Sequence, residues 1–172
     1  MRNLTRNFVV TAILLLLCLP SGTGCAPSSE DQSDTTKTDA LNRTVRIDRP
    51  VDRVLSLAPN LTELAYAAGG GSRLVAVTTA DDYPPAVDTL DRISALPIDF
   101  EAIAAQNPDL VLATDQVNPP GDTDTFETLD IPVYFFSFGS LSDVFDGIRT
   151  MGALLGTETA AADSARALER QM

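Results

Sequence analysis

Four apolar runs, each leading into a turn and a helix-like pattern, constrain this chain more than any other feature. They are "RVLSLA" (53–58), "RLVAVTT" (73–79), "DLVLAT" (109–114) and "IPVYFFS" (131–137). Each is nearly continuous in apolar side chains, which is how a strand covered on both faces reads. A shorter run, "RTVRI" (43–47), alternates like a half-buried strand, and Pro50 ends it. Buried strands alternating with helices predict a parallel sheet with right-handed crossovers, an α/β layer architecture. No internal repeat of solenoid period interrupts this order.

The helices between the runs carry their own start and stop signals. Asn60 is placed to cap a helix in which Glu63 completes a capping-box spacing, with Leu61, Leu64, Ala65 and Ala68 on one face. Gly69, Gly70 and Gly71 close it. Asp99 is placed to cap "FEAIAAQ", which Asn107 and Pro108 terminate, and a short helix is expected around Thr125 to Leu129. Ser140 caps a longer helix in which Leu141, Val144, Phe145, Ile148, Met151 and Leu155 recur at helical spacing, and Gly156 stops it. Thr157 is placed to cap the last, with Ala161, Ala165, Leu168 and Met172 on one stripe.

In open parallel sheets a ligand sits beyond the carboxyl ends of the strands. The loops that share that edge here are Ala58 to Asn60, Thr79 to Tyr83, Thr114 to Asn118 and Ser137 to Gly139. The helix start at Pro59 and Asn60 is expected to turn unpaired backbone N–H groups toward whatever binds there. Enzyme chemistry is poorly supplied: the chain has no histidine, no G-x-S-x-G elbow and no phosphate-binding P-loop, and "GGG" follows a helix, where it reads as a cap. Asp81 and Asp82 read as solvated turn residues before they read as cation ligands. A binding module, without catalytic residues, metal or cofactor, is the reading favoured over an enzyme.

Ahead of the folded part, Arg2 and Arg6 precede the uncharged run "FVVTAILLLLCL" (8–19), which has the length of a secretory h-region and falls short of the about 20 residues that span a bilayer. Small residues then lead to Cys25, and the stretch resembles the lipobox of bacterial lipoproteins, with Gly22 where a branched aliphatic residue is usual. The resemblance implies a signal over 1–24 and an acylated Cys25 at the head of a solvated tether over 25–38. Residues 26–39 contain no apolar side chain larger than alanine and cannot offset their ordering entropy. Cys18 and Cys25 both lie in this leader, so no disulfide is expected within the domain. The formal net charge of −12 excludes charge-driven nucleic-acid binding.

Taken together, "DALNRTVRIDRPVDRVLSLAPNLTEL", "LVAVTTADDYPPAV", "DFEAIAAQNPDLVLAT", "IPVYFF" and "SLSDVFDGIRTMGALLG" resemble the periplasmic substrate-binding proteins for cobalamin and iron-siderophores, whose two α/β lobes are joined by a backbone helix. The resemblance implies an N-terminal lobe over 39–156 and the start of the backbone helix over 157–172, with the second lobe absent from this chain. It further implies an exported protein, held at the periplasmic or extracellular face, that passes a corrinoid or ferric siderophore to the permease and ATPase subunits of an ABC importer. By the same resemblance Pro59, Asn60, Asp82, Tyr83, Thr114 and Phe138 line the cleft, and Glu101 in "DFEAI" docks on the permease. The positions that carry aromatics in cobalamin binders hold Ala80 and Thr114 here. The competing expectation is a lipid-tethered interaction module, or a truncated product, that has lost transport.

Overall fold

The computed structural model describes residues 35–48 and 50–172. The leader, Cys25 and most of the expected tether lie outside the described residues. Among those described, strands β1 (Thr35–Thr38) and β2 (Thr44–Ile47) pair antiparallel. Strands β3 (Val54–Ser56), β4 (Leu74–Thr78), β5 (Asp91–Ile93), β6 (Leu110–Thr114) and β7 (Val133–Phe136) form one parallel sheet in the order β5-β4-β3-β6-β7. The expected α/β layer architecture is thus present. Strand β1 corrects the boundary of the tether: Thr35 to Thr38, polar and without a local signal for order, gain backbone partners from β2.

The helices are α1 (Pro59–Ala67), α2 (Phe100–Ala105), α3 (Thr123–Thr128), α4 (Leu141–Leu155) and α5 (Glu158–Glu169). Alternation along the strands divides the core into two layers. On one face Leu110, Leu112, Tyr134 and Phe136 pack with Leu61, Leu64 and Ala65 of α1, with α4, and with Ala161 and Ala165 of α5. On the other, Leu55, Val111, Ala113 and Phe135 pack with Ile103 of α2 and Phe126 of α3. Phe135 and Phe136 therefore face opposite cores, as neighbouring strand residues must. Truncating a fully buried member such as Leu61 or Phe126 to alanine would cost about 2–5 kcal/mol.

The edge of the sheet at β7 is covered by the β1–β2 hairpin. Ala40 N–H donates to Phe135 O at 2.9 Å, and the Tyr134 hydroxyl donates to Thr38 O at 2.8 Å. The hairpin turn is organised by buried Asp39, whose carboxylate accepts from Leu41 N, Arg43 N and the Arg43 guanidinium, at 2.6 Å for the last. Burial, and then the Asp39 charge, push the Tyr134 hydroxyl above its ordinary pKa.

Helix ends test the local readings. Asp99 caps α2 by accepting from Ala102 N at 2.9 Å, and Ser140 with Asp143 forms a full capping box on α4. Gly156 ends α4 in the left-handed region, φ 65°, where a side chain would be strained. Two expected caps are corrected. Ala58 is the N-cap of α1, with Pro59 at the first helical position, and Asn60 is already inside the helix. Thr157 precedes α5 without a side-chain cap, and its hydroxyl oxygen is buried with no partner.

Candidate functional site

The order of the sheet reverses between β3 and β6, so the loops after these two strands diverge and open a crevice at the carboxyl edge. Beside it lies a largely apolar concavity of about 270 Å³ lined by Asn60, Glu63 and Leu64 of α1, Phe138 of the β7–α4 loop, and Val144 of α4. Asn60 and Phe138 were expected at a shared site, and the fold brings them together. The sequence marks Leu64 and Val144 only as helix-face residues and Glu63 only as part of a capping box, which does not form.

Phe138 stands here because the alternation of β7 continues past the strand. Tyr134, Phe136 and Phe138 point to one face, with Tyr134 and Phe136 edge to face at 5.0 Å and Phe136 and Phe138 stacked at 6.0 Å. Gly147 of α4 makes room for the last ring: a Cβ there would stand 2.8 Å from Phe138 Cε1 and 3.0 Å from Leu64 Cδ2. Gln116, in the loop after β6, donates from Nε2 to Phe138 O at 2.5 Å and ties the two loops together. The Asp143 carboxylate accepts from Gly139 N and Ser140 N, bonds that hold it below the usual carboxylate range and fix the loop carrying Phe138.

The start of α1 offers less than expected. Leu61 N is engaged by Ala58 O and by Asn60 Oδ1, each at 3.0 Å, and Thr62 N by Ala58 O at 3.2 Å. These donors are spent within the chain. Thr114 is fully buried, its N–H bound by Asn118 Oδ1 at 3.0 Å, while Asn118 Nδ2 reaches Leu57 O at 3.4 Å. Asn118, unremarked in the sequence, thus bridges the loops after β3 and β6, and Thr114 sits beneath them with no surface of its own.

The loop after β4 has two characters. Asp81 is buried, not solvated: its Oδ2 accepts from Thr78 N at 2.9 Å and Thr78 Oγ1 at 2.6 Å, while its Oδ1 is buried without a partner. Asp82 and Tyr83 are exposed, Tyr83 by 61%, and neither lines the concavity at Phe138. Among the described residues, no cluster of three or more His, Cys, Asp or Glu side chains could hold a metal ion. Glu101 is exposed in the first turn of α2, a helix that packs on the opposite face of the sheet from α1 and α4.

The amino edge also has a void, larger and more polar. About 440 Å³ is lined by Arg46, Asp48, Pro108, Asp109 and Asp130 among others. In its wall Asp109 accepts from Asp52 N at 2.8 Å and Arg53 N at 2.7 Å, and Arg46 pairs with Asp48 at 3.2 Å.

A family model described as periplasmic binding protein matches residues 54–172. The chain is 40% identical over 103 residues to the vitamin B12-binding protein of Vibrio parahaemolyticus, covering 59% of this chain and 38% of that one. It is 38% identical over 100 residues to the protein of that name from Pectobacterium carotovorum, covering 58% and 36%. Among solved structures, the periplasmic vitamin B12 binding protein of Vibrio cholerae superposes with a TM-score of 0.66 at 33% identity, over 70% of this chain and 48% of that one. A periplasmic heme binding protein from Pseudomonas aeruginosa, at 24% identity and a TM-score of 0.65 over 70% and 44%, shares the fold. The chain spans well under half the length of the curated relatives it matches.

Proposed function

The chain belongs to the periplasmic binding protein family, and from that premise we propose that it is the N-terminal lobe of a substrate-binding component that captures a metal chelate and delivers it to an ABC importer. The observation that carries this reading is the apolar concavity at the carboxyl edge, where Asn60, Leu64, Phe138 and Val144 meet beside the reversal of strand order. Its lining suits one face of a flat chelate: an aromatic ring and two aliphatic side chains provide apolar contact, and Asn60 provides a polar end. The relatives named for vitamin B12 favour a corrinoid, and a ferric siderophore is the other chelate class the family resemblance implies.

In this account Pro59 positions Asn60, Phe138 is the main wall, and Asp82 and Tyr83 reach the ligand from the neighbouring loop. Thr114 supports the loops from below. Glu101 docks on cationic side chains of the permease, a role supported by its exposure at the start of α2, on the sheet face away from the concavity. Cys25, outside the described residues, serves as the lipid anchor that holds the protein to a membrane at its periplasmic or extracellular face. The role is carriage, not catalysis.

The test is a titration of the full chain in detergent with dicyanocobinamide, cyanocobalamin, haem and a ferric siderophore, following melting temperature. Saturable stabilisation by one of them is expected, since a ligand at 100 times its Kd adds about 2.7 kcal/mol to the folded state. A folded sample indifferent to all of them would overturn the reading. Glu101→Ala is expected to lower transport in cells with that affinity unchanged.

A further inference from the structure

The aromatic wall of the concavity is the last ring of a column. Phe138 is half-buried and stacks on Phe136 with centroids 6.0 Å apart and planes 6° apart, and Phe136 meets Tyr134 edge to face at 5.0 Å. The column ends at buried Tyr134, whose hydroxyl donates to Thr38 O at 2.8 Å. Thr38 is itself held. It pairs with Thr44 across the hairpin, and beside it the fully buried side chain of Asp39 accepts from Leu41 N, Arg43 N and the Arg43 guanidinium. That guanidinium also donates to Val133 O at 2.9 Å, and Ala40 N donates to Phe135 O at 2.9 Å. The hairpin thus grips β7 in two ways: Val133 and Phe135 by their backbone, and Tyr134 by its hydroxyl.

Packing alone does not fix this column. A void of about 270 Å³ runs beside it, lined by Thr38, Asp39, Phe136, Phe138, Asp143 and Gly147 among others. Rings that border open space lose contacts on that side and have room to slide. Gln116 and Asp143 fix the backbone at Phe138 and Gly139, and leave the Phe138 ring to its neighbours. We infer that Tyr134 is a positioning residue for the site: its bond to the hairpin sets the column, and through Phe136 it sets the placement of the Phe138 ring that walls the concavity. Edge-to-face and stacked contacts are directional enough to pass that placement along. The inference rests on the reading of Phe138 as the wall of the proposed site and deepens it. The shape of the site is then governed by the β1–β2 hairpin, which lies at the far end of the column.

Tyr134→Phe keeps the ring and removes the hydroxyl, so it tests the brace without deleting the column. The full chain in detergent is labelled at its phenylalanine rings, and the Phe138 signals are assigned by their loss in Phe138→Leu. In the ligand-free spectrum of Tyr134→Phe those signals are expected to be displaced and broadened, while those of Phe126, on the opposite face of the sheet, stay in place. Titrated with dicyanocobinamide, Tyr134→Phe is expected to bind about threefold more weakly than the parent, the scale of one hydrogen bond. In a Phe138→Ala background the same change is expected to leave affinity unaltered, because no ring remains to be misplaced. A general loss of stability would lower affinity equally in both backgrounds. Unmoved Phe138 signals, or an affinity loss that is absent or equal in the two backgrounds, would overturn the positioning role while leaving the corrinoid site in place. Should the folded parent bind no dicyanocobinamide, the corrinoid form of the proposed function is overturned, and the ring signals alone decide the positioning role: displaced signals support it and unmoved ones overturn it.

Discussion

The two edges of the sheet differ in what walls their voids. The amino edge has the larger void, but its wall is made of charged side chains and prolines, and Asp109 there is committed to two backbone N–H groups. The carboxyl edge has the smaller void, in which Phe138 presents a half-buried ring beside Leu64 and Val144, with Glu63 exposed at the rim. Volume therefore does not locate the site. A void walled by charged side chains and prolines offers no aromatic face, and one with an aromatic ring between aliphatic side chains is suited to a flat ligand.

The strongest way to break this contrast is to cut the amino edge. Asp109→Ala removes the acceptor of two backbone donors and is expected to cost about 2 kcal/mol in denaturant unfolding, while chelate affinity stays unchanged. A loss of affinity equal to that seen at the carboxyl edge would erase the distinction. The complementary change, Phe138→Ala, removes the stacked wall; it is expected to weaken chelate binding by about tenfold, or about 1.4 kcal/mol, and to lower stability by a similar amount. Gly147→Ala sharpens the contrast without deleting a contact. Its Cβ drives the Phe138 ring toward the concavity, at a cost of about 1 kcal/mol, and is expected to lower affinity severalfold with the amino edge undisturbed.

The smallest effect is a pH dependence. Asp143 titrates below the usual carboxylate range because the folded loop donates two N–H groups to it. Its contribution is therefore present above that range and fades as pH falls through its folded value. Melting temperature is expected to decline slightly more in the parent than in Asp143→Asn over that acid window, with the shift of amide signals centred on Gly139 and Ser140.

What was legible in the sequence was what short-range chemistry decides. Ser140, Asp143 and Gly156 lie within one helix and its ends, so spacing alone places the cap and the stop of α4. Asn60 shows how a neighbour overrides such a signal: Pro59 lacks an N–H and has its φ preset for the first helical position, so the helix begins two residues earlier. That shift removes Glu63 from the capping box and leaves it in the lining of the concavity. Thr114 ends a strand, as an edge residue should, but its burial depends on Asn118 folding back over it, a contact made by the shape of a loop. The strand at Thr35 to Thr38 depends on a partner too, and its polar composition carries no trace of it.

The most direct test of the account is the map of backbone amide shifts in the labelled chain as dicyanocobinamide is added. The expected result is a saturable response at Asn60, Leu64, Phe138 and Val144, with Arg46, Asp109 and Asp130 unmoved. Saturable shifts centred on Asp109 and Arg46, or none at any residue in a folded sample, would contradict the assignment of the ligand to the carboxyl edge.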